Sequence, residues 1–328
     1  MKFLVGYQMT DDSFLEEIIS NREQIPEVYF SWGGYANGRN SQLRQKGLTP
    51  WEAQCRQERD LRRLAGAGIG LNLLFNAMCY GRDSQSRQFF QGIGDTVEEL
   101  ENRFSLRSVT TTSPLIARFV KENFPALDVR ASVNMCIGTV EGMEYVKDLF
   151  DSFYLQREKN RDLAHVNKLR SWCDHHGKKL YLLANSGCLN HCSAHVFHDN
   201  LVAHETEIAA MNNGYQFTGI CGSYLKENPT AAVGNTSFVR PEDVHLYEGI
   251  VSAMKLATRV NADPIRVLRS YLRGSHRGST LELLEPNHTA LLYPCILENK
   301  RLTASLRDGK LQYENPENAL VVLEDLLC

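Results

Sequence analysis

Short apolar runs alternate with amphipathic segments along most of this chain, and that alternation limits the possible folds more than any other feature. Phe3 to Tyr7, Val28 to Trp32, Gly70 to Asn76 and Ser108 to Thr111 read as buried strands, as do Asp128 to Val133, Phe153 to Gln156, Lys179 to Leu183 and Thr236 to Val239. Helical segments lie between them. Asp11-Asp12-Ser13 opens one at Phe14 to Ser20, Thr49-Pro50 starts another that runs to Gly66, and Ser113-Pro114 caps a third to Asn123. Val140 to Leu149 forms a further helix, Asn160-Arg161-Asp162 begins one ending at Gly177, and Pro241-Glu242-Asp243 begins the last. Repeated strand–helix units imply parallel pairing with right-handed crossovers, and eight of them predict a closed (β/α)8 barrel. An open doubly wound sheet is the alternative, but no glycine-rich dinucleotide fingerprint follows the first strand. The barrel is expected over residues 1–260, with a mainly helical extension, residues 261–328, packed on it.

Hydrophobic residues make up 43% and charged residues 23% of the 328, the balance of a soluble globular chain. A net charge of −3 gives no sign of nucleic-acid or membrane affinity, although a local basic patch would be invisible in the total. MKFLVGYQM at the amino terminus lacks cleavable-signal architecture, and no apolar run approaches the length of a bilayer span, which points to a cytoplasmic protein without a membrane span. The cysteine count, nine, is odd, so a disulfide framework is not expected.

Potential ligands concentrate in Leu182 to Glu205, where an apolar run stops at Asn185-Ser186-Gly187 and Cys188, Cys192, His195, His198 and His204 follow. In a barrel of this kind functional groups belong at the carboxyl ends of strands. Cys79, Cys136 and Cys188 each follow a strand, and Cys221 lies in a Gly-flanked loop, so these with Cys192 are placed to face one mouth. Cys55, Cys173, Cys295 and Cys328 read as packing or surface thiols. Two metal readings stay open. Cys188, Cys192, His195 and His198 have zinc-like spacing, while Cys188, Cys192, Cys221 and one of Cys79 or Cys136 would supply four thiolates to an iron–sulfur cluster. A radical enzyme cleaving S-adenosylmethionine needs three close cysteines, and here His195 takes the third place. His198, His204 and Glu205 stand at helical spacings, suited either to binding substrate or to solvating a helix face.

Asn185 to Cys192, taken with Ser237-Phe238-Val239-Arg240-Pro241-Glu242-Asp243, Met254-Lys255-Leu256-Ala257-Thr258-Arg259 and Tyr154 to Asp162, resembles the collagenase-like U-type peptidases, family thirty-two of the unassigned class. The resemblance covers about Phe3 to Arg259. It implies a TIM-like barrel and, in well-understood members, a 4Fe–4S cluster held by four cysteines. It also implies oxygen-independent hydroxylation in ubiquinone synthesis or of RNA, sometimes with a partner protein of the same family, or the older label of collagenase-type protease. This chain departs from the family pattern in having only Cys188 and Cys192 close together and in lacking the usual glycine before Arg259. Its expected fourth ligand is Cys79, which sits in a small-residue turn directly past a strand, with Cys136 the alternative.

Three functions follow as expectations. The first is an iron–sulfur enzyme or enzyme subunit acting on a small molecule or RNA, with Arg157, Arg161, Arg240 and Arg259 as anion-binding candidates and His198 and His204 beside them. The second is a peptidase with Cys188 or Cys192 as nucleophile and His195 or His198 as base; no G-x-S-x-G elbow and no H-E-x-x-H motif occurs. The third is a zinc-binding or redox-sensing barrel without catalysis.

Overall fold

A computed structural model describes residues 1–9, 12–38, 47–211 and 219–323. Asp11, Thr218 and Cys328 fall outside the described residues. Eight strands form a closed parallel barrel in sequential order, β1 (Phe3–Gly6), β2 (Glu27–Phe30), β3 (Gly70–Phe75), β4 (Leu106–Thr111), β5 (Asp128–Ala131), β6 (Ser152–Tyr154), β7 (Lys179–Leu183) and β8 (Ala253–Leu256). Closure is by β8 on β1, with Leu4 opposite Lys255.

Helices α1 (Asp12–Ser20), α2 (Pro50–Gly66), α3 (Arg87–Phe104), α4 (Pro114–Asn123), α5 (Val140–Glu144) and α6 (Leu163–His175) follow the first six strands in turn. Their starts obey local chemistry. Thr49 and Glu52 form a reciprocal capping box with Pro50 in the first turn of α2, and Ser113 accepts the Ile116 N–H ahead of Pro114. After β7 the crossover is longer and carries α7 (His195–Ala203), α8 (Glu205–Met211), α9 (Ile220–Glu227) and α10 (Ala231–Gly234).

Strand alternation divides the core in two. Val28, Phe30, Leu71, Leu73, Val109, Val129, Phe153, Leu180, Leu182, Met254 and Leu256 belong to the large apolar cluster shared with the helices. The opposite set faces the axis and is unusually polar. At the amino end Arg130 on β5 reaches Glu27 on β2 at 2.7 Å and Asp128 at 3.0 Å, while Asn72 donates to Ser108 and accepts from Thr110. These charges and amides are met across the barrel, which is how a charged interior is tolerated.

Thr236 to Val239 is not the eighth strand. Phe238 and Val239 are buried, and the Val239 N–H donates to Ala184, but this stretch stays an irregular extended segment and Ala253–Leu256 takes the ladder position. An apolar run before a proline satisfies packing without a ladder, so it carries the same signal as a strand. The segment beginning at Pro241 is a 3-10 turn, Pro241–Tyr247. After β8, helix α11 (Pro264–Arg273) and the short α12 (Thr289–Leu292) are joined by two small antiparallel pairs, β9 (Cys295–Leu297) with β12 (Leu320–Val322) and β10 (Thr303–Arg307) with β11 (Lys310–Glu314). Among the described residues no helix is long and apolar enough to cross a membrane.

Candidate active site at the carboxyl mouth

The turn after β7 is fixed from both sides. Asn185, fully buried, donates to the carbonyls of Ala257 and Leu283 and accepts the Ala257 N–H at 2.6 Å. Gly187 follows, its N–H on the Glu285 carbonyl and its own carbonyl 2.8 Å from His288 Nε2. A Cβ at Gly187 would stand 2.5 Å from the Pro286 carbonyl oxygen, so glycine is required for the extension to lie this close. Leu189 bridges to Thr236 and the Asn190 N–H donates to Asn235, so the cysteine loop is pinned between Cys188 and Cys192.

Cys188 and Cys192, from this loop, and Cys221, at the start of α9, are each partly buried. Burial pushes the Cys221 thiol above its usual range, and the charges of Cys188 and Cys192 push it further. The three sulfurs therefore lie within electrostatic reach of one another. Among the described residues, however, no three His, Cys, Asp or Glu side chains are grouped to hold a metal ion.

Cys79 stands in other company. Its Sγ accepts the Gly81 N–H at 3.4 Å, and it is hydrogen bonded to His204, whose Nδ1 lies 3.1 Å from Glu207 Oε2. The Gly81 N–H and then His204 hold the Cys79 thiol below its usual range, and Cys79 in turn raises the His204 imidazole. Cys136, the alternative fourth ligand, is exposed with a left-handed backbone and lies near Arg157 and Asp199.

Of the arginines, two are taken up by the fold. Arg161 donates to the carbonyls of Phe238 and Val233 and lies over the Tyr313 ring. Arg240 makes a two-pronged pair with Asp243 and donates to the Leu302 carbonyl at 2.6 Å. Neither guanidinium is presented to a substrate, because backbone carbonyls left without ladder partners at Thr236–Val239 and in the extension claim them. Arg157 and Arg259 remain at the mouth. Arg157 Nη2 donates to Asn134 and Nη1 lies 2.7 Å from His195 Nε2, while its buried Nε has no partner among the described residues. The same His195 nitrogen is 3.1 Å from Asp199, so one imidazole nitrogen faces a guanidinium and a carboxylate. Arg259 Nη1 donates to Asn37 Oδ1 at 3.3 Å. His198 is exposed on α7.

Asn134, Asp199, Glu207 and Lys255 complete these groups, and sequence reasoning did not single them out as site residues. Only Lys255 carried a visible signal, a charge in the middle of an apolar strand.

No family model matches the chain. It is 26% identical over 264 residues to an uncharacterized protease of Methanocaldococcus jannaschii, a match covering 77% of this chain and 73% of that one. Among solved structures it is similar to a U32 peptidase, with a TM-score of 0.54 and 14% identity over 78% of this chain and 92% of the other. At that identity the likeness shows the barrel.

Proposed function

We propose that this chain, which resembles the collagenase-like U32 peptidases, is an iron–sulfur enzyme that modifies its substrate without molecular oxygen, with Cys188, Cys192 and Cys221 holding the cluster. The observation that carries the reading is the mutual electrostatic reach of these three thiols, two on the loop after β7 and one at the start of α9. Ligand spacing is what would separate a polynuclear cluster from one zinc. Tetrahedral ligands on a single ion converge to about 3.8 Å of one another, whereas thiolates around a 4Fe–4S cluster stand roughly 6 to 7 Å apart. Bound there, the cluster would supply electron transfer or a site for an oxygen donor. Arg157 and Arg259 are the side chains suited to hold an anionic substrate beside it, since a guanidinium pairs with two oxygens at once. His195, itself beside Asp199, holds one end of the Arg157 guanidinium.

Anaerobic purification followed by iron and sulfide analysis tests this. Iron with broad absorbance near about 400 nm is expected, lost in Cys188→Ser, Cys192→Ser and Cys221→Ser. Cys79→Ser retains its iron, because Cys79 is engaged with His204. A colourless protein holding zinc at full occupancy sinks the reading.

A second reading rests on the Cys79–His204–Glu207 arrangement, in which an imidazole between a thiol and a carboxylate forms a nucleophile and its base. It agrees with the word protease in the archaeal relative's name. Peptide hydrolysis by iron-free protein, abolished by alkylating Cys79, would favour it over the first.

A further inference from the structure

A lysine occupies the axis of the barrel. Lys255 lies on β8 between Met254 and Leu256, which belong to the outer apolar cluster, so its own side chain points inward. Its Nζ is 4.0 Å from the centroid of the Tyr29 ring on β2 and 4.9 Å from that of Tyr154 on β6. Those strands stand on different walls of the closed sheet, so the amine reaches the middle. The residue is 6% exposed.

Its surroundings do not favour an ammonium ion. Toward the amino end lies Arg130, already paired with Glu27 and Asp128. On the mouth side lies Arg259, whose stem crosses Gly6, where a Cβ would meet the Arg259 Cγ at 2.5 Å. Glu285 from the extension and Glu27, itself paired with Arg130, are the opposing charges. The two tyrosine faces attract a cation but supply no net charge. Burial first, then Arg259 and Arg130, hold the amine well below the ordinary lysine range. A lysine desolvated and set beside cationic groups is the arrangement that makes an amine nucleophilic near neutrality.

We propose that Lys255 is a reactive amine that captures a carbonyl compound bearing a carboxylate, such as a 2-oxo acid, entering from the carboxyl mouth. The nitrogen lone pair attacks the carbonyl carbon and the π pair moves to oxygen, which gains the proton that nitrogen loses. The carbinolamine then expels water, so amine and carbonyl give imine and water with no oxidant or reductant consumed. Arg259, on the mouth side of the amine, supplies positive charge for the carboxylate. The proposal stands on the barrel interior and does not depend on the cluster.

The test uses the full chain, pyruvate as probe and cyanoborohydride to reduce any imine to a stable secondary amine, with peptide mapping by mass spectrometry. Exposed Lys310 serves as internal reference. The expected result at pH 7 is a reduced pyruvate adduct on Lys255, formed at least about ten-fold faster than on Lys310, with a rate that rises less steeply with pH than that on Lys310. Acetaldehyde in place of pyruvate is expected to label Lys255 more slowly, and equal labelling would overturn the carboxylate preference. No adduct on Lys255, or a rate rising with pH in parallel with Lys310, overturns the proposal. Iron-free protein is expected to label equally, so failure of the cluster reading leaves this result standing, and loss of labelling with iron would refute the amine as the capturing group.

Discussion

Replacing Arg130 with methionine probes whether the polar barrel interior holds the fold together. Arg130 is 1% exposed and spends its guanidinium on Glu27 at 2.7 and 3.2 Å, on Asp128 at 3.0 Å, and on the Ser152 hydroxyl at 3.1 Å. Methionine fills similar volume but strands two carboxylates. Removing one partner of a buried pair costs roughly 3–5 kcal/mol, because the remaining charge stays desolvated. Here the orphans keep some support. Glu27 retains Asn72 and Ser108, Asp128 retains Ser152 and Lys179, and a cleft of about 480 Å³ at the amino end of the barrel admits water. The low end of the range follows, about 3 kcal/mol, or roughly a hundred-fold in the folding equilibrium.

The assay is urea unfolding at pH 7 and again near pH 4.5. Burial pushes the Asp128 carboxyl up, but Arg130, Ser152 and Lys179 together bring it below the usual range. In the native protein this contribution is present above the unfolded carboxylate value and is lost as pH falls through the depressed folded one. Without Arg130 burial dominates, the carboxyl rises, and the penalty is relieved by protonation. The difference between the two proteins therefore shrinks on acidification. Adding Glu27→Gln to Arg130→Met recovers part of the loss at pH 7. A loss below about 1 kcal/mol, or one that grows toward low pH, refutes the reasoning.

Two further substitutions and one chemical probe bear on the mouth. Cys79 is expected to react with iodoacetamide several-fold faster than buried Cys173 at pH 7, since its thiol is held low and the Cys173 thiol is pushed up to about 12 by burial. His204→Ala should slow Cys79 alone, and an unchanged rate would show that the imidazole does not act on it. Gly187→Ala should displace the cysteine loop from the extension, with a loss of roughly 1–3 kcal/mol from overpacking and a fall in bound iron. A variant as stable and as iron-rich as the native chain would show that the Pro286 contact yields freely.

The sequence by itself determined the barrel, because strand and helix periodicities and capping residues such as Thr49 and Ser113 are local signals. It also located the cysteine loop, since Asn185-Ser186-Gly187 breaks an apolar run at a strand's carboxyl end. Three-dimensional partners were not legible, for they depend on contacts between residues far apart in the chain. Thr236–Val239 has the composition of a strand, yet Ala253–Leu256 pairs with β1 because closure of the sheet, and no local preference, chooses the eighth ladder. Arg161 and Arg240 resemble ligand-binding arginines until the unpaired carbonyls of neighbouring segments claim them. Cys79 reads in the sequence as a thiol past a strand end, and only α7 and α8 reveal that His204 stands beside it. Lys255 is one residue among the apolar positions of a strand, and only closure puts its amine between Tyr29 and Tyr154, where burial alters its chemistry.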